Sequence, residues 1–246
     1  MKGIRFELRG ETAFFKKPDV NTFMYFTYSQ IHKMALLGML GSIIGLEGYS
    51  MQGDKSYPKF FEVLKDLKVA IVPTSQTGDL PGLCSKKVQV FNNSVGYASQ
   101  EEGGNLIIKE QWLERPSWMI YLLEDGHPYY EKLKAYLLTN RCEFIPYLGK
   151  NDHFANIYNV EEIVLEETKE CHQIHSLYSE TQVDYEEDDY GWDDEAYYKY
   201  QEKLPVGLEP TCNQYEIETF VLSNRQLKCK DYKNIYTYND EHLYFF

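Results

Sequence analysis

Cysteine is scarce in this chain and badly spaced for chemistry. Its five cysteines, Cys84, Cys142, Cys171, Cys212 and Cys229, are scattered and form no C-x-x-C pair. An odd, dispersed set excludes a disulfide framework and fits a reduced, cytoplasmic protein. Cys171, His172 and His175 lie close together, but a fourth ligand at zinc spacing is missing, so neither metal nor cofactor is expected. Long apolar runs are also lacking. The longest, Met34 to Leu46, has thirteen residues, where a membrane span needs about 20, and it does not sit where a signal peptide would. There is no Walker loop, and no glycine triplet in a strand-to-helix turn. The acidic run DYEEDDYGWDDE places its glycine wrongly for a calcium loop.

Cations are few: 25 Lys and Arg stand against 38 Asp and Glu, for a net charge of −13. The deficit is local. Residues 1–153 carry 18 cations against 17 acids, and residues 154–246 carry 7 against 21. Ten of those acids fall within residues 180–202, where Lys199 is the one cation. An acidic whole chain therefore says little about the first 153 residues.

Aromatics and glycine are present in informative places. Twenty-two tyrosines suit half-exposed sheets and wet contact surfaces. From Tyr28 to Tyr49 the chain reads as an apolar helix carrying Gly38, Gly41, Gly45 and Gly48, with Ser29 as N-cap. Each glycine in a helix interior costs about 1 kcal/mol relative to alanine, so a very close approach by another backbone is implied. The glycines from Gly38 onward are expected mainly to allow tight packing, and the stretch from Tyr28 to Lys33 to meet a ligand.

The strand signals are Gly3–Arg9, Leu67–Val72, Leu106–Trp112, Ser117–Leu123 and Glu143–Leu148, and the further helix signals are Tyr57–Asp66 and Pro128–Leu138. Leu106–Trp112 and Ser117–Leu123 read as a pair split by Arg115-Pro116. Residues 74–105 read as a protruding hairpin. The order β, α, β, excursion, β, β, α, β approximates a ferredoxin-like βαββαβ unit. The expected fold is α+β: a ferredoxin-like (RRM-like) domain over 1–153 with a thumb at about 74–105. A small β-rich lobe over 154–246 follows, with strands at Ile157–Leu165, Glu216–Leu222, Asn234–Tyr238 and Leu243–Phe246 and a solvated acidic insertion at about 180–202.

Two clusters carry candidate chemistry. Lys16, Lys17, Tyr25, Tyr28, His32 and Lys33 combine cations with rings, as contacts to phosphates and unstacked bases require. Lys150 and His153 sit at a strand end, in the loop Gly149 to His153, and Lys86 and Lys87 lie in the excursion. The same residues admit metal-free RNA cleavage with Tyr28, His32 and Lys33 as the candidates, a base removing the 2′-hydroxyl proton and an acid protonating the leaving oxygen. A third reading is a protein-interaction module acting through the acidic segment.

The stretches FELRGETAFFKKPDVNTFMYFTYS, ALLGMLGSIIGL, YPKFFEVLKDLKVAI and FIPYLGKNDHFANI together resemble the CRISPR-associated Cas-five family, closest to its subtype I-B branch. The resemblance covers about residues 1–160, with a tail of the expected kind in GLEPTCNQYEIETFVL. It implies a RAMP-type Cascade subunit for antiviral defense that binds the 5′ handle of crRNA and whose thumb contacts the RNA and a backbone subunit. Its partners would be crRNA, the Cascade backbone and large subunits and, indirectly, target DNA. The family's Pro-Pro-Arg-Thr-like approach to the glycine helix is here Ser29-Gln30-Ile31-His32-Lys33. I-C relatives cut precursor RNA themselves, whereas I-B systems use a separate Cas-six enzyme. The resemblance therefore implies no catalysis.

Overall fold

The computed structural model describes residues 1–19, 23–92, 106–185 and 197–246, with the single residues 96, 100 and 102. No described helix is long and apolar enough to cross a membrane. The fold is mixed α/β with mainly antiparallel sheets.

The first strand, β1 (Lys2–Arg9), turns Ile4, Phe6 and Leu8 inward with period 2. After the short β2 (Thr12–Ala13) come α1 (Lys33–Ile43), α2 (Lys59–Leu64) and β3 (Val69–Pro73). Next are β4 (Lys86–Asn92), β5 (Ile107–Glu114), β6 (Ser117–Leu123), α3 (Tyr130–Leu138) and β7 (Asn156–Val164). One four-stranded sheet has the order β3-β6-β1-β7, every neighbour antiparallel. A second has the order β2-β5-β4.

Several expected elements differ. Glu143–Leu148 forms no strand; the fourth position of the sheet belongs to β7, read from sequence as part of the tail. Proline at 146 and the tight turn at Gly149 (φ +89°) deny that stretch a regular ladder. Strands β5 and β6 do not pair with each other. Arg115 takes a φ of +46° ahead of Pro116, and the chain leaves one sheet for the other. The excursion contains β4, paired with β5 from Lys86↔Leu113 to Asn92↔Ile107. Its tip, 93–105, lies outside the described residues apart from 96, 100 and 102.

The remaining strands are β8 (Glu166–Glu167), β9 (Tyr178–Ser179), β10 (Val183–Tyr185), β11 (Lys199–Leu208), β12 (Tyr215–Ser223), β13 (Leu227–Cys229), β14 (Ile235–Tyr238) and β15 (Glu241–Tyr244). They share the first unit's cores. One core joins Ile4, Leu37 and Trp118 to Leu204 and Phe220. The opposite face of the first sheet buries Tyr121 and Ile163 against Leu243 and Phe245. The C-terminus closes on β3 through reciprocal backbone bonds between Val69 and Phe246. The acidic stretch is bordered by structure, since β10 and the first residues of β11 fall within 180–202; residues 186–196 lie outside the described set.

The glycine helix is shorter than expected. It starts at Lys33, and its N-cap is His32, whose Nδ1 accepts from Ala35 N at 3.2 Å, not Ser29. It ends at Ile43, where Gly45 takes a φ of +77° and Leu46 N donates back to Gly41 O at 2.8 Å, a C-terminal cap that favours glycine. Gly48 caps a following 3₁₀ turn. The two interior glycines also differ. A Cβ on Gly41 would stand 2.7 Å from Phe60 Cβ on α2, whereas one on Gly38 would meet the Phe60 ring at 3.8 Å. Gly41→Ala should therefore destabilise by about 1–3 kcal/mol through overpacking, and Gly38→Ala should stabilise by up to about 1 kcal/mol. Chemical denaturation of the two variants checks the sign of each.

Candidate nucleic-acid interface

The loop between β2 and α1 folds back on itself. Lys17 N donates to Phe26 O, Tyr28 N to Phe15 O, and Phe15 N to Thr27 Oγ1. Tyr25 then docks on β5, donating to Lys109 O and accepting from Gln111 N. This brings Lys16 and Lys17 beside the β2-β5-β4 sheet. Behind them, fully buried Gln30 donates to Gly82 O and accepts from Trp118 Nε1 at 2.7 Å.

Besides the buried Lys33, four of the candidate lysines lie over rings. Lys16 Nζ is 3.9 Å from the Tyr25 centroid and Lys17 is 5.1 Å from Tyr28. Lys87 is 5.9 Å from Trp112 and Lys150 is 5.2 Å from Phe91. Such pairs present a cation and a π-face together, the combination that single-stranded nucleic acid uses. Among the described residues, each except Lys16 also has a carboxylate. Lys87 lies 3.6 Å from Glu114, and Lys150 lies 3.2 Å from Glu110 and 3.3 Å from Asp152. Glu110 is buried and also accepts from Trp112 Nε1 at 2.9 Å.

Glu202 is the residue that sequence reasoning misplaced. It is not part of a solvated loop but sits on β11, with its side chain 10% exposed. Its carboxylate accepts from Lys17 Nζ at 2.6 Å, Ser29 N at 2.8 Å and the Tyr200 hydroxyl at 2.6 Å. Lys86 Nζ donates to Ser29 Oγ at 2.8 Å. Burial lowers the Lys86 pKa and neighbouring Lys17 lowers it further, while Glu202 opposes them. Burial, then Glu202, pushes the Tyr200 phenol far up. The signal available in sequence was the period-2 alternation that resumes at Lys199 within the acidic stretch.

Four other candidates are buried: Tyr28, His32, Lys33 and His153. Tyr28 and His32 meet edge-on at 5.1 Å, with Phe15 and Tyr215 closing around His32. Burial raises the Tyr28 pKa to about 12 and lowers that of His32 to about 3. Lys33 does not join them; its Nζ lies 5.9 Å from the Phe246 ring, and burial lowers its pKa to about 8. His153 Nδ1 bonds Thr12 Oγ1 at 2.6 Å and its ring meets Trp112 edge-on at 4.5 Å, leaving Nε2 buried without a partner. Among the described residues, no three His, Cys, Asp or Glu side chains gather where a metal could be held.

Beside the lysines runs a groove of about 930 Å³ along the outer face of α1. Ala35, Gly38 and Ser42 form its floor. Tyr49 and Phe60, whose rings meet edge-on at 5.7 Å, line it together with Phe144, Tyr147, Lys16 and Tyr215. The Phe144–Gly149 wall is pinned at Gly149, where a Cβ would fall 2.0 Å from Phe14 O.

No family model matches the chain, and no curated protein does. Solved structures do. One chain of a CRISPR RNA-guided surveillance complex superposes with a TM-score of 0.53 at 12% identity, over 93% of this chain and 91% of that one. The fold is shared with CRISPR-associated proteins. A CRISPR protein from Archaeoglobus fulgidus gives 0.50 at 9% identity, over 99% and 98% of the two chains. A chain from the Type III-B Cmr-beta structure, bound to cognate target RNA and AMPPnP, gives 0.51 at 10% identity over 93% and 86%. At these identities the likeness concerns the fold.

The buried bases make the fold's stability pH-dependent in opposite ranges. The folded chain releases the Lys33 proton at about pH 8, while the unfolded chain keeps it to about 10.5, so stability should rise as pH climbs above 8. Below about pH 6.5 only the unfolded chain protonates His32, and stability should fall. Lys33→Met should raise Tm at pH 7, by an amount corresponding to about 3 kcal/mol at most, and flatten the rise between pH 8 and 9.5. Thermal melts across pH check both limbs.

Proposed function

We propose that this chain is a non-catalytic, RNA-binding subunit of a CRISPR surveillance complex, with the subtype I-B Cas-five role of holding the repeat-derived 5′ handle of crRNA. The observation that carries the reading is the fold likeness to CRISPR-associated proteins over more than nine-tenths of the chain. The order β3-β6-β1-β7, with helices between β1 and β3 and between β6 and β7, supports a ferredoxin-like unit. The β4–β5 hairpin supports a thumb at 74–105, and its half-exposed Val88, Val90, Leu106 and Ile107 suit contact with the backbone subunit. The row of lysine–ring pairs supplies phosphate and base contacts. The large subunit, and target DNA through it, complete the expected partners.

The chain purified with RNA transcribed from its own CRISPR repeat should bind tightly, with affinity falling steeply as salt rises. Exchanging Lys16, Lys86 and Lys87 together for alanine should reduce the slope of log K against log salt by about 0.7 for each phosphate that is no longer neutralised. An unchanged slope would place the RNA elsewhere.

The metal-free nuclease reading finds little support in the geometry. Its three residues do not converge, and neither a phenol near pKa 12 nor an imidazole near 3 is poised for proton transfer at neutral pH. Labelled repeat RNA incubated with the chain in EDTA should stay intact; a single cut abolished by Tyr28→Phe would reinstate the enzyme.

A further inference from the structure

The groove on the outer face of α1 is poorly suited to a phosphate backbone. Its lining carries one cation, Lys16, and one carboxylate, Glu47, so a polyanion tracking along it would be almost unpaired. Two of the polar groups within it are already engaged: Ser42 Oγ donates to Met39 O, and His32 Nδ1 caps α1. Its rim is aromatic and open. Tyr49 is 51% exposed, Phe144 62%, Tyr147 44% and Tyr215 36%, far more than rings that only fill a core. Its floor is kept low by small residues, and at Gly38 a Cβ has open space on every side but that of the Phe60 ring. The wall carrying Tyr147 is fixed to the Phe14-Phe15-Lys16 segment of the β2–α1 loop, since Phe14 N donates to Leu148 O at 3.1 Å. The aromatic groove thus opens directly beside the lysine–ring row.

We infer that this groove receives unstacked nucleobases of a bound RNA, stacked against Tyr147 and Tyr49 over the Gly38 floor, while the phosphates remain outside on the lysines. The inference rests on the RNA-binding reading above and divides that site into a charged backbone track and an uncharged base slot. Stacking of this kind tolerates any base, because every base has a π-face. The open space at Gly38 is what the slot needs, and the tight contact at Gly41 is what folding needs.

The test uses the full chain and RNA transcribed from its CRISPR repeat, with handle nucleotides replaced one at a time by abasic residues. On the wild type, one or two replacements should weaken binding about tenfold, the size expected for losing one stacked base. Gly38→Leu fills the slot and should weaken the intact RNA by a similar factor. It should leave the salt slope unchanged and make those abasic replacements harmless. It should melt no lower than the wild type. Tyr147→Ala, at an exposed position, gives a second route to the same weakening. If the wild type binds abasic and intact RNA equally with its salt slope preserved, the base slot is wrong and the RNA reading stands. The slot is also overturned if both variants bind intact RNA like the wild type, including the case in which they lose only a protein partner on co-purification. If the wild type binds none of these RNAs at low salt, the RNA reading fails, and the slot with it.

Discussion

The Glu202 carboxylate holds together the parts on which the rest of the surface depends. It accepts hydrogen bonds from a lysine on the β2–α1 loop, from the backbone just ahead of α1 and from a tyrosine on its own strand. A largely buried carboxylate is costly unless charge and donors surround it. Here Lys17, Ser29 N–H and the Tyr200 hydroxyl do so. The C-terminal hairpin β11–β12 is thereby docked against α1, and Tyr215, at the start of β12, is carried to the end of the groove. A segment that looks from its composition like a repulsive acidic tail therefore contributes an internal counter-ion to a basic loop.

The glycines divide the labour that a reading of the helix as one unit would assign to a single cause. Gly41 permits the crossing with α2, because a methyl group there would strike Phe60. Gly45 terminates the helix in the left-handed region. Gly38 lines empty space. Gly149, far away in sequence, makes the closest approach among the described glycines, against the Phe14 carbonyl. That approach fixes the Tyr147 wall to the lysine-bearing β2–α1 loop. Close backbone contact is thus real in this chain, but its strongest instance among the described residues lies in the YLGK turn and not in the helix.

Charge and burial have separated the residues that were grouped by sequence. Tyr28 and His32 brace the start of α1 from inside, and Lys33 projects to the C-terminal Phe246. Lys16, Lys86, Lys87 and Lys150 remain at the surface, three of them over rings and two of those three, Lys87 and Lys150, near carboxylates. Partnering of this kind moderates the positive field and sets the geometry of the cations, so a ligand there would be placed by orientation as much as by net charge.

The sequence by itself determined the strands β1, β3 and β6, the apolar helix α1, the short α2 and α3, the hairpin strand at Lys86 and the confinement of acidity to the second half. Period-2 and helical patterns are local, and charge counts need no fold. It did not determine that Asn156–Val164 would complete the first sheet, because a strand's neighbours depend on pairing partners distant in the chain. Nor did it determine that His32, rather than Ser29, would cap α1, since capping depends on where the loop is held by Gln30 and Glu202. Whether a glycine serves packing, a turn or an open floor was decided only by what stands opposite it. The groove exists because residues 35–51, 144–149 and 215 meet in space, and burial, which sets both the chemistry and the accessibility of each candidate side chain, is a property of that meeting.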